Sequence, residues 1–226
     1  MERFRSFLRG IYKEYKHLLL LLYFPIYLTW FIFLEKTVTR HFHVIHMKVD
    51  DMIPFCEIFI IPYLLWFAYI TVVILYMGWK DKREFIKLCK FLFAGMTLFV
   101  VISTIYPNGH FLRPTYFERD NVFTHLCGLL YQTDTATNLF PSIHVYNSIG
   151  VHLAIISSKQ TRKNKIVTNL SFLLMVSIIL STVFLKQHSV FDVLTAFLTA
   201  MIFYPFAYKH NFEYQLVRIR KRIPQL

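Results

Sequence analysis

The sequence predicts an all-α membrane protein, a polytopic bundle of six transmembrane helices that forms one domain over residues 1–226. Of these residues 56% are hydrophobic and 18% are aromatic, and the mean hydropathy of +0.45 is high for a soluble domain. Several apolar stretches approach or exceed the roughly 20 residues that a helix needs to cross a bilayer. With only 6 Gly and 8 Pro, the chain offers no low-complexity linker that would separate two domains.

Six apolar segments account for the predicted helices. The first and fourth are short and carry polar residues, so hydropathy alone ranks them below the others. The fourth opens on Pro141, which suits the start of a helix because its missing N–H costs no hydrogen bond there. In chain order the six segments cover about Leu18–Leu34, Cys56–Trp79, Phe85–Tyr106, Pro141–Ile156, Ile166–Phe184 and Val190–Tyr208.

Positive charge alternates along the connecting segments. Of the 25 Lys and Arg residues, 19 lie before the first span, around the second-to-third and fourth-to-fifth connections, and after the sixth span. The positive-inside rule therefore predicts cytoplasmic termini, with the other three loops on the opposite side, and the cell membrane is the expected location. The net charge of +12 then reflects topology and a lipid-facing rim that includes the terminal YQLVRIRKRIPQL, so no nucleic-acid partner is predicted.

Polar residues suited to chemistry cluster in the loops opposite the basic ones. The long loop between the third and fourth spans contains YPNGHFLRPTYFERD and DTATNLFPSIH. The turn between the fifth and sixth spans contains STVFLKQHSVFDV. With the predicted topology, these three separated stretches meet on one face of the membrane, as an active site requires.

The stretch NLFPSIH combines features of a phosphate site. Ser142 falls in the first turn of the predicted fourth helix, beside free backbone N–H groups and the positive end of the helix dipole, which favour an anion. His144 lies in the same turn, where it can donate to a phosphate oxygen and supply a proton. The structural alternative is an interfacial Ser and His that only cap the helix.

His188 and Asp192 are four residues apart and would share one face of a helix. A carboxylate at that spacing fixes the tautomer of an imidazole and leaves its other nitrogen free to attack. The alternative is a polar pair that caps the sixth span, although an acid at that depth is costly without a role.

Arg113 can bind a phosphate with two N–H groups at once. Without the other two motifs, we would interpret it as a solvated residue of the protein surface.

No metal or cofactor is predicted. The three cysteines lack the spacing of a disulfide framework or a zinc site. The stretch HFHVIH contains His41, His43 and His46, but no acidic or Cys partner is spaced for metal binding, and we interpret it as loop.

Together these residues resemble the type 2 phosphatidic acid phosphatase superfamily, the membrane lipid phosphatases related to vanadium haloperoxidases. The second and third motifs of that family are present at its spacing, as Pro141, Ser142 and His144 and as Ser181, His188 and Asp192. The first motif, Lys with six residues before Arg-Pro, survives as Arg113-Pro114. The resemblance covers mainly residues 107–200, the predicted catalytic part, and it implies the six-span fold.

The resemblance also implies a role for each residue. His188 would attack phosphorus and form a phosphohistidine, while Asp192 orients it. His144 would protonate the leaving oxygen and then activate the water or alcohol that resolves the intermediate. Arg113 and Ser142 would hold the phosphoryl oxygens without a metal. The implied substrate is a lipid phosphate, with the surrounding membrane lipids as partners.

Two positions depart from the family pattern. Tyr106 stands where the first motif has Lys, and Thr182 stands where the third motif has Arg. Two charges that would neutralise phosphate are therefore missing, and Lys186 and Arg119 are the candidates to replace them. The same reduced set resembles the inositol phosphorylceramide synthase and sphingomyelin synthase branch, which passes a phosphoryl head group to a lipid alcohol.

Three functions therefore compete. The first is a lipid-phosphate phosphatase that hydrolyses a phosphomonoester or pyrophosphate. The second is a head-group phosphotransferase on the same scaffold, which the two missing charges favour. The third is a lipid-binding or transport protein that keeps the fold without the chemistry.

Overall fold

The computed structural model describes residues 14–209, so most of the predicted basic N-terminal segment and the terminal YQLVRIRKRIPQL lie outside the described residues. The described chain is mainly helical, with one pair of two-residue strands. The helices are α1 (Tyr23–Thr37), α2 (Lys48–Met52), α3 (Ile60–Lys80), α4 (Lys82–Ile105), α5 (Val122–Thr133), α6 (Ile143–Ser157), α7 (Lys165–Phe184) and α8 (Val190–Tyr204). Short 3-10 turns, Lys16–Leu22 and Glu57–Phe59, lead into α1 and α3, and a π-helical turn, Pro205–Lys209, follows α8.

Five helical segments are long and apolar enough to cross a membrane, and they coincide with five of the six predicted spans. They are Lys16–Thr37, Glu57–Lys80, Lys82–Ile105, Lys165–Phe184 and Val190–Tyr208. Helix α6 is apolar but has only 15 residues, about 22 Å at a rise of about 1.5 Å per residue, against a hydrocarbon core of about 30 Å. The helical membrane bundle is thus confirmed in outline, whereas the count of six spans stays a prediction.

Helix α6 lies at the centre of the bundle, where it packs against α3, α4, α7 and α8. Val145, Val151 and Ala154 on this helix are completely buried. A helix surrounded by protein does not need a continuous lipid-facing surface, so it can be shorter and carry buried polar residues such as Asn147 and Ser148.

Two glycines allow α4 and α6 to approach closely. The ring of Tyr146 on α6 stacks on Phe91 of α4, with 4.5 Å between ring centroids, and its hydroxyl donates to the Phe91 carbonyl at 2.7 Å. A Cβ on Gly95 would lie 2.1 Å from the Tyr146 ring, and one on Gly150 would lie 2.6 Å from the Phe91 ring. Both glycines are therefore required by packing.

We expect Gly95→Ala to lower the free energy of unfolding by about 1–3 kcal/mol, because the new Cβ would overlap the Tyr146 ring, which is buried and hydrogen-bonded in its present place. The melting temperature in detergent measures the effect. Gly128→Ala is the matched control, since its Cβ would meet only Phe117 at an ordinary 3.7 Å. Equal melting temperatures for the two variants would contradict this account of the α4–α6 contact.

The loops at one end of the bundle are joined to each other by backbone hydrogen bonds. Strand β1 (His43–Val44) pairs in parallel with β2 (Asn108–Gly109), and the His110 N–H donates to the Ala136 carbonyl. We call this end, which holds the loops 38–59, 106–142 and 185–189, the loop end. The three stretches that carry the sequence motifs all lie there, as their predicted location on one face requires.

Candidate functional site

Two histidines and an aspartate form a hydrogen-bonded line at the loop end. His188 Nδ1 lies 3.3 Å from Asp192 Oδ2, and His188 Nε2 lies 3.4 Å from His144 Nδ1. Asp192 is completely buried and His188 is 5% exposed. The structure therefore brings together the three residues that the motifs predicted, although 44 positions separate the two histidines.

A tight turn after α7 presents His188. The N–H groups of Gln187 and His188 both donate to the Thr182 carbonyl, at 2.9 and 3.0 Å. Ser189 then caps α8, and its own N–H donates to Asp192 Oδ2 at 3.0 Å. The prediction that His188 shares a helix with Asp192 is wrong in this detail, since His188 precedes the helix. Asp192 reaches His188 because it also closes this capping box.

His188 is held as a neutral imidazole. Burial lowers its pKa to about 3, and the positive charge of Arg113 lowers it in the same direction. A neutral imidazole keeps a lone pair on one nitrogen, and contact with Asp192 favours the proton on Nδ1. Nε2 is then the nucleophilic atom, and it is the one that faces His144.

Ser142 is the N-cap of α6 and not a residue of its first turn, which corrects the predicted helix start at Pro141. Its hydroxyl oxygen accepts from the Val145 N–H at 3.5 Å, and its own N–H donates to the Asp192 carbonyl at 3.2 Å. The second contact joins the start of α6 to α8. The hydroxyl proton of Ser142 remains available to a ligand, as do the first N–H groups of α6.

His144 is held by two aromatic side chains of α3. Its ring stacks on Tyr63 at 4.7 Å and lies 4.3 Å from Trp66, measured between centroids. The Trp66 indole N–H also donates to the His144 carbonyl at 3.2 Å. These contacts fix the ring beside His188 without using its two nitrogens.

Arg113 is part of the site and is not solvated surface. Its two terminal nitrogens donate to the carbonyls of Asp134 and Thr135 and to Gln187 Oε1, at 2.6, 2.9 and 2.7 Å. The side chain is 13% exposed, and its Nε is buried with no hydrogen-bond partner among the described residues. This fixed cation therefore has one N–H left for a ligand.

Sequence reasoning missed several polar residues that support the site, among them His110 and Asn108. His110 accepts from the Leu112 N–H on Nδ1, so its Nε2 must donate to the Gln187 carbonyl at 2.9 Å. Burial lowers the pKa of His110 to about 4 and keeps it neutral. The Asn108 side chain accepts from the N–H groups of Leu139 and Phe140. Their place in YPNGHFLRP, just before Arg113, was the signal that could have found both His110 and Asn108.

Asp134 carries a carboxylate close to these groups. Its Oδ2 lies 3.8 Å from Arg113 Nη2. Burial and the nearby Glu35 charge raise the pKa of Asp134 to about 6, while Arg113 opposes that shift. The family motifs contain no counterpart to Asp134, so spacing alone gave no reason to select it.

Neither candidate for the missing charges reaches the histidines. The Lys186 ammonium donates to the carbonyls of Asp50 and Ile53. Arg119 is an exposed side chain paired with Glu57 at 3.2 Å. Tyr106, at the position of the missing Lys, stacks on His43. Lys186 therefore stabilises the turn in this structure, and its predicted role in substrate binding stays a prediction that these contacts do not support.

The buried carboxylate of Asp50, in the loop after α1, holds the turn that presents His188. It accepts from the Ser189 hydroxyl at 2.6 Å and from the N–H groups of Val190 and Met47, both at 2.8 Å. Asp50 is 2% exposed. It thus fixes the start of α8, and with it the distance between His188 and Asp192.

We expect Asp50→Ala to lower kcat/KM about 10- to 100-fold while the chain stays folded, because the Ser189 hydroxyl and the Val190 N–H lose a charged acceptor. Asp51→Ala is the matched control, since Asp51 is exposed and pairs with His46 at the surface. Full activity of Asp50→Ala would show that the turn does not need this clamp.

The histidine-rich stretch has structural contacts. His46 pairs with Asp51 at 2.9 Å, and His43 stacks on Tyr106. Among residues 14–209, no group of three or more His, Cys, Asp or Glu side chains is placed to hold a metal ion. The loop interpretation agrees with these contacts.

Comparison with protein families gave one match, the PAP2 superfamily, over residues 114–215. No curated protein and no solved structure matched the chain significantly. The matched region holds His144, His188 and Asp192 and begins one residue after Arg113. The resemblance to the type 2 phosphatidic acid phosphatases is therefore confirmed for this region, since residues 114–215 match the PAP2 superfamily model in a chain with five helices of membrane-spanning length.

Proposed function

We propose that the protein is a metal-independent phosphatase that hydrolyses a phosphomonoester or pyrophosphate of a membrane lipid. One observation carries the proposal: a buried, neutral His188 lies between a carboxylate that orients it and a second histidine that can exchange protons. The PAP2 match and the membrane-length helices support phosphoric-ester chemistry at a membrane.

In the first step, His188 Nε2 attacks phosphorus, and the bond from phosphorus to the lipid oxygen breaks. The leaving oxygen takes a proton from His144, which enters this step as an imidazolium beside the anionic phosphate. The lipid departs as an alcohol from a phosphomonoester, or as a lipid monophosphate from a pyrophosphate. The products of this step are a phosphohistidine and a His144 that can now act as a base. Asp192 holds the Nδ1 proton throughout and stabilises the positive charge that the attacking ring gains.

In the second step, His144 removes a proton from water as the water oxygen attacks phosphorus. The bond between nitrogen and phosphorus breaks, inorganic phosphate leaves, and both histidines return to their first state. His188 Nε2 and His144 Nδ1 lie 3.4 Å apart, so a phosphoryl group that binds between them must separate the two nitrogens.

Negative charge on the phosphoryl oxygens has a defined set of partners. Arg113 offers its unpaired Nε–H and a fixed positive charge, the Ser142 hydroxyl can donate, and α6 presents its first N–H groups. Fixed donors aimed at developing charge contribute to catalysis because they do not have to reorganise during the reaction.

A phosphotransferase on the same scaffold is the second candidate. The phosphotransferase remains a candidate because Lys186 and Arg119 bind other groups. Among the described residues, no cation at His188 therefore replaces the motif Lys and Arg that are absent at positions 106 and 182. The chemistry is identical except that a lipid alcohol, and not water, attacks the phosphohistidine.

Phosphate release from a panel of lipid monophosphates and pyrophosphates, with purified protein in detergent, tests the proposal. A phosphatase releases phosphate with water as the only acceptor. Product that forms only after a lipid alcohol is added would replace the phosphatase by the transferase. No turnover of any kind from a folded sample would contradict both.

A further inference from the structure

An apolar groove of about 460 Å³ runs along the bundle between α1 and α3. Phe31 and Tyr27 form part of its α1 wall, Phe67 and Thr71 part of its α3 wall, and Met96 of α4 lies at its floor. Helix α1 makes its main interhelical contacts with α4, which leaves the space beside α3 open. Phe67 is 56% exposed at the rim, so the groove faces the lipid.

The groove is continuous with the catalytic residues. His144 and Asp134 line its upper end, beside Tyr63. From Tyr63 to Thr71 is eight residues of helix, about 12 Å at a rise of about 1.5 Å per residue. That length nearly matches half of a hydrocarbon core of about 30 Å. The groove therefore covers most of one leaflet and ends where the lipid oxygen reacts.

An unpaired polar atom lies in the groove wall near the reacting end. Asn147 is one turn below His144, is 3% exposed, and has no hydrogen-bond partner on Oδ1 among the described residues. A buried amide oxygen without a partner is costly, and a hydroxyl or amide donor of a ligand would satisfy it. This atom indicates an occupant with a polar end.

Charges of both signs meet at the upper end of the groove. The Asp134 carboxylate lines the groove, and its Oδ2 lies 3.8 Å from Nη2 of Arg113, whose positive charge also acts on His188. A carboxylate repels phosphate and accepts a hydroxyl. The phosphoryl group thus belongs beside Arg113, and the uncharged part of the lipid belongs in the groove.

We propose that this groove binds one hydrocarbon chain of a lipid alcohol, which enters sideways from the membrane. The hydroxyl end of the alcohol then lies between His144 and Asn147, which both line the groove. The chain is that of the leaving lipid in hydrolysis and of the acceptor in transfer. This inference rests on the proposed function for the identity of the reacting oxygen, but the binding itself can be measured without turnover.

The binding experiment uses the full chain in detergent and a long-chain primary alcohol that carries a photoreactive diazirine in its chain. Mass spectrometry maps the labelled peptides. We expect labels on α1 and α3, and an at least tenfold loss of labelling in Thr71→Trp, whose indole fills the lower groove. Leu75→Trp is the matched control and keeps wild-type labelling, because Leu75 lies one turn further along α3, is also exposed and does not line the groove.

A photoreactive alkane of equal length tests the polar end. We expect wild type to label at least tenfold better with the alcohol than with the alkane, and Asn147→Leu to reduce that preference. Equal labelling by alcohol and alkane in wild type, or equal labelling of Thr71→Trp and Leu75→Trp, would overturn the proposal. If Thr71→Trp does not fold, Leu28→Trp on the α1 wall replaces it, with the lipid-facing Ile26→Trp as control.

A second readout separates this inference from the proposed function. In Thr71→Trp the ratio of kcat/KM for a long-chain lipid phosphate to that for a water-soluble aryl phosphate should fall at least tenfold. An unchanged ratio contradicts the groove while leaving the phosphatase intact. Specific labelling in a protein that turns over no phosphate ester contradicts the phosphatase while leaving the groove intact.

Discussion

His188→Ala is expected to abolish turnover, with a loss of at least about 10⁴-fold in kcat, because the variant has no nucleophile to form the covalent intermediate. The residual rate would come from Arg113 and the helix N–H groups, which still position the phosphoryl group. Phosphate release from the best substrate of the panel measures the loss, and the melting temperature confirms that the variant is folded.

The control for this variant is His125→Ala. His125 is an exposed histidine on α5 that pairs with Asp120 at the surface. It should keep wild-type activity, since removal of an exposed ion pair changes stability by less than about 1 kcal/mol. If folded His188→Ala retained more than a tenth of wild-type activity, the phosphohistidine mechanism would be wrong.

Asp192→Asn has the second largest expected effect, a loss of about 10³- to 10⁴-fold in kcat with little change in melting temperature. An Asn side chain still has an oxygen that accepts from the Ser189 N–H, so the start of α8 keeps its cap. The amide cannot carry the negative charge that stabilises the positive ring of the attacking His188. Single-turnover kinetics locate the loss in the attack on phosphorus.

The comparison of activity with stability distinguishes catalysis from capping. If Asp192 acted only as a helix cap, Asp192→Asn would be nearly as active as wild type, and Asp192→Ala would lose stability. If Asp192 orients and stabilises His188, both variants lose activity and only Asp192→Ala loses much stability. An Asp192→Asn variant that is nearly as active as wild type would therefore contradict the role of Asp192 in orienting and stabilising His188.

Motif spacing predicted which residues the structure brings together, and there is a physical reason for this. Each motif places its side chains within one turn of a helix start, where local hydrogen bonds such as the Ser189 cap fix their direction. The two histidines then meet because the segments that carry them lie at the same end of the bundle. Successive spans run in opposite directions, so every second connection lies at that end.

Contacts between distant segments were not visible in the sequence. Asp50 and Ser189 are 139 positions apart, and nothing in KVDDM distinguishes the buried Asp50 from the exposed Asp51. Lys186 also looked suited to phosphate because it lies two residues before His188. Its chain turns the other way, at a positive φ of 50°, and binds loop carbonyls.

The limits of the fold prediction have a similar origin. Hydropathy located five long spans because lipid contact demands long, apolar helices. It was less informative for α6, whose surroundings are protein and whose buried Asn147 and Ser148 reduce its apolar character. The groove between α1 and α3 depends on which helices pack together, and no periodicity in a single helix encodes that choice.

Trapping of the phosphoenzyme tests the central claim most directly. Purified protein is mixed with a lipid phosphate labelled in phosphorus and quenched in alkali within one turnover, since phosphohistidine survives base and is hydrolysed by acid. We predict label on the peptide that contains His188, none in His188→Ala, and discharge of the label when water or a lipid alcohol completes the reaction. A rapidly quenched, fully active enzyme that carries no label, or carries it on another residue, would contradict the mechanism.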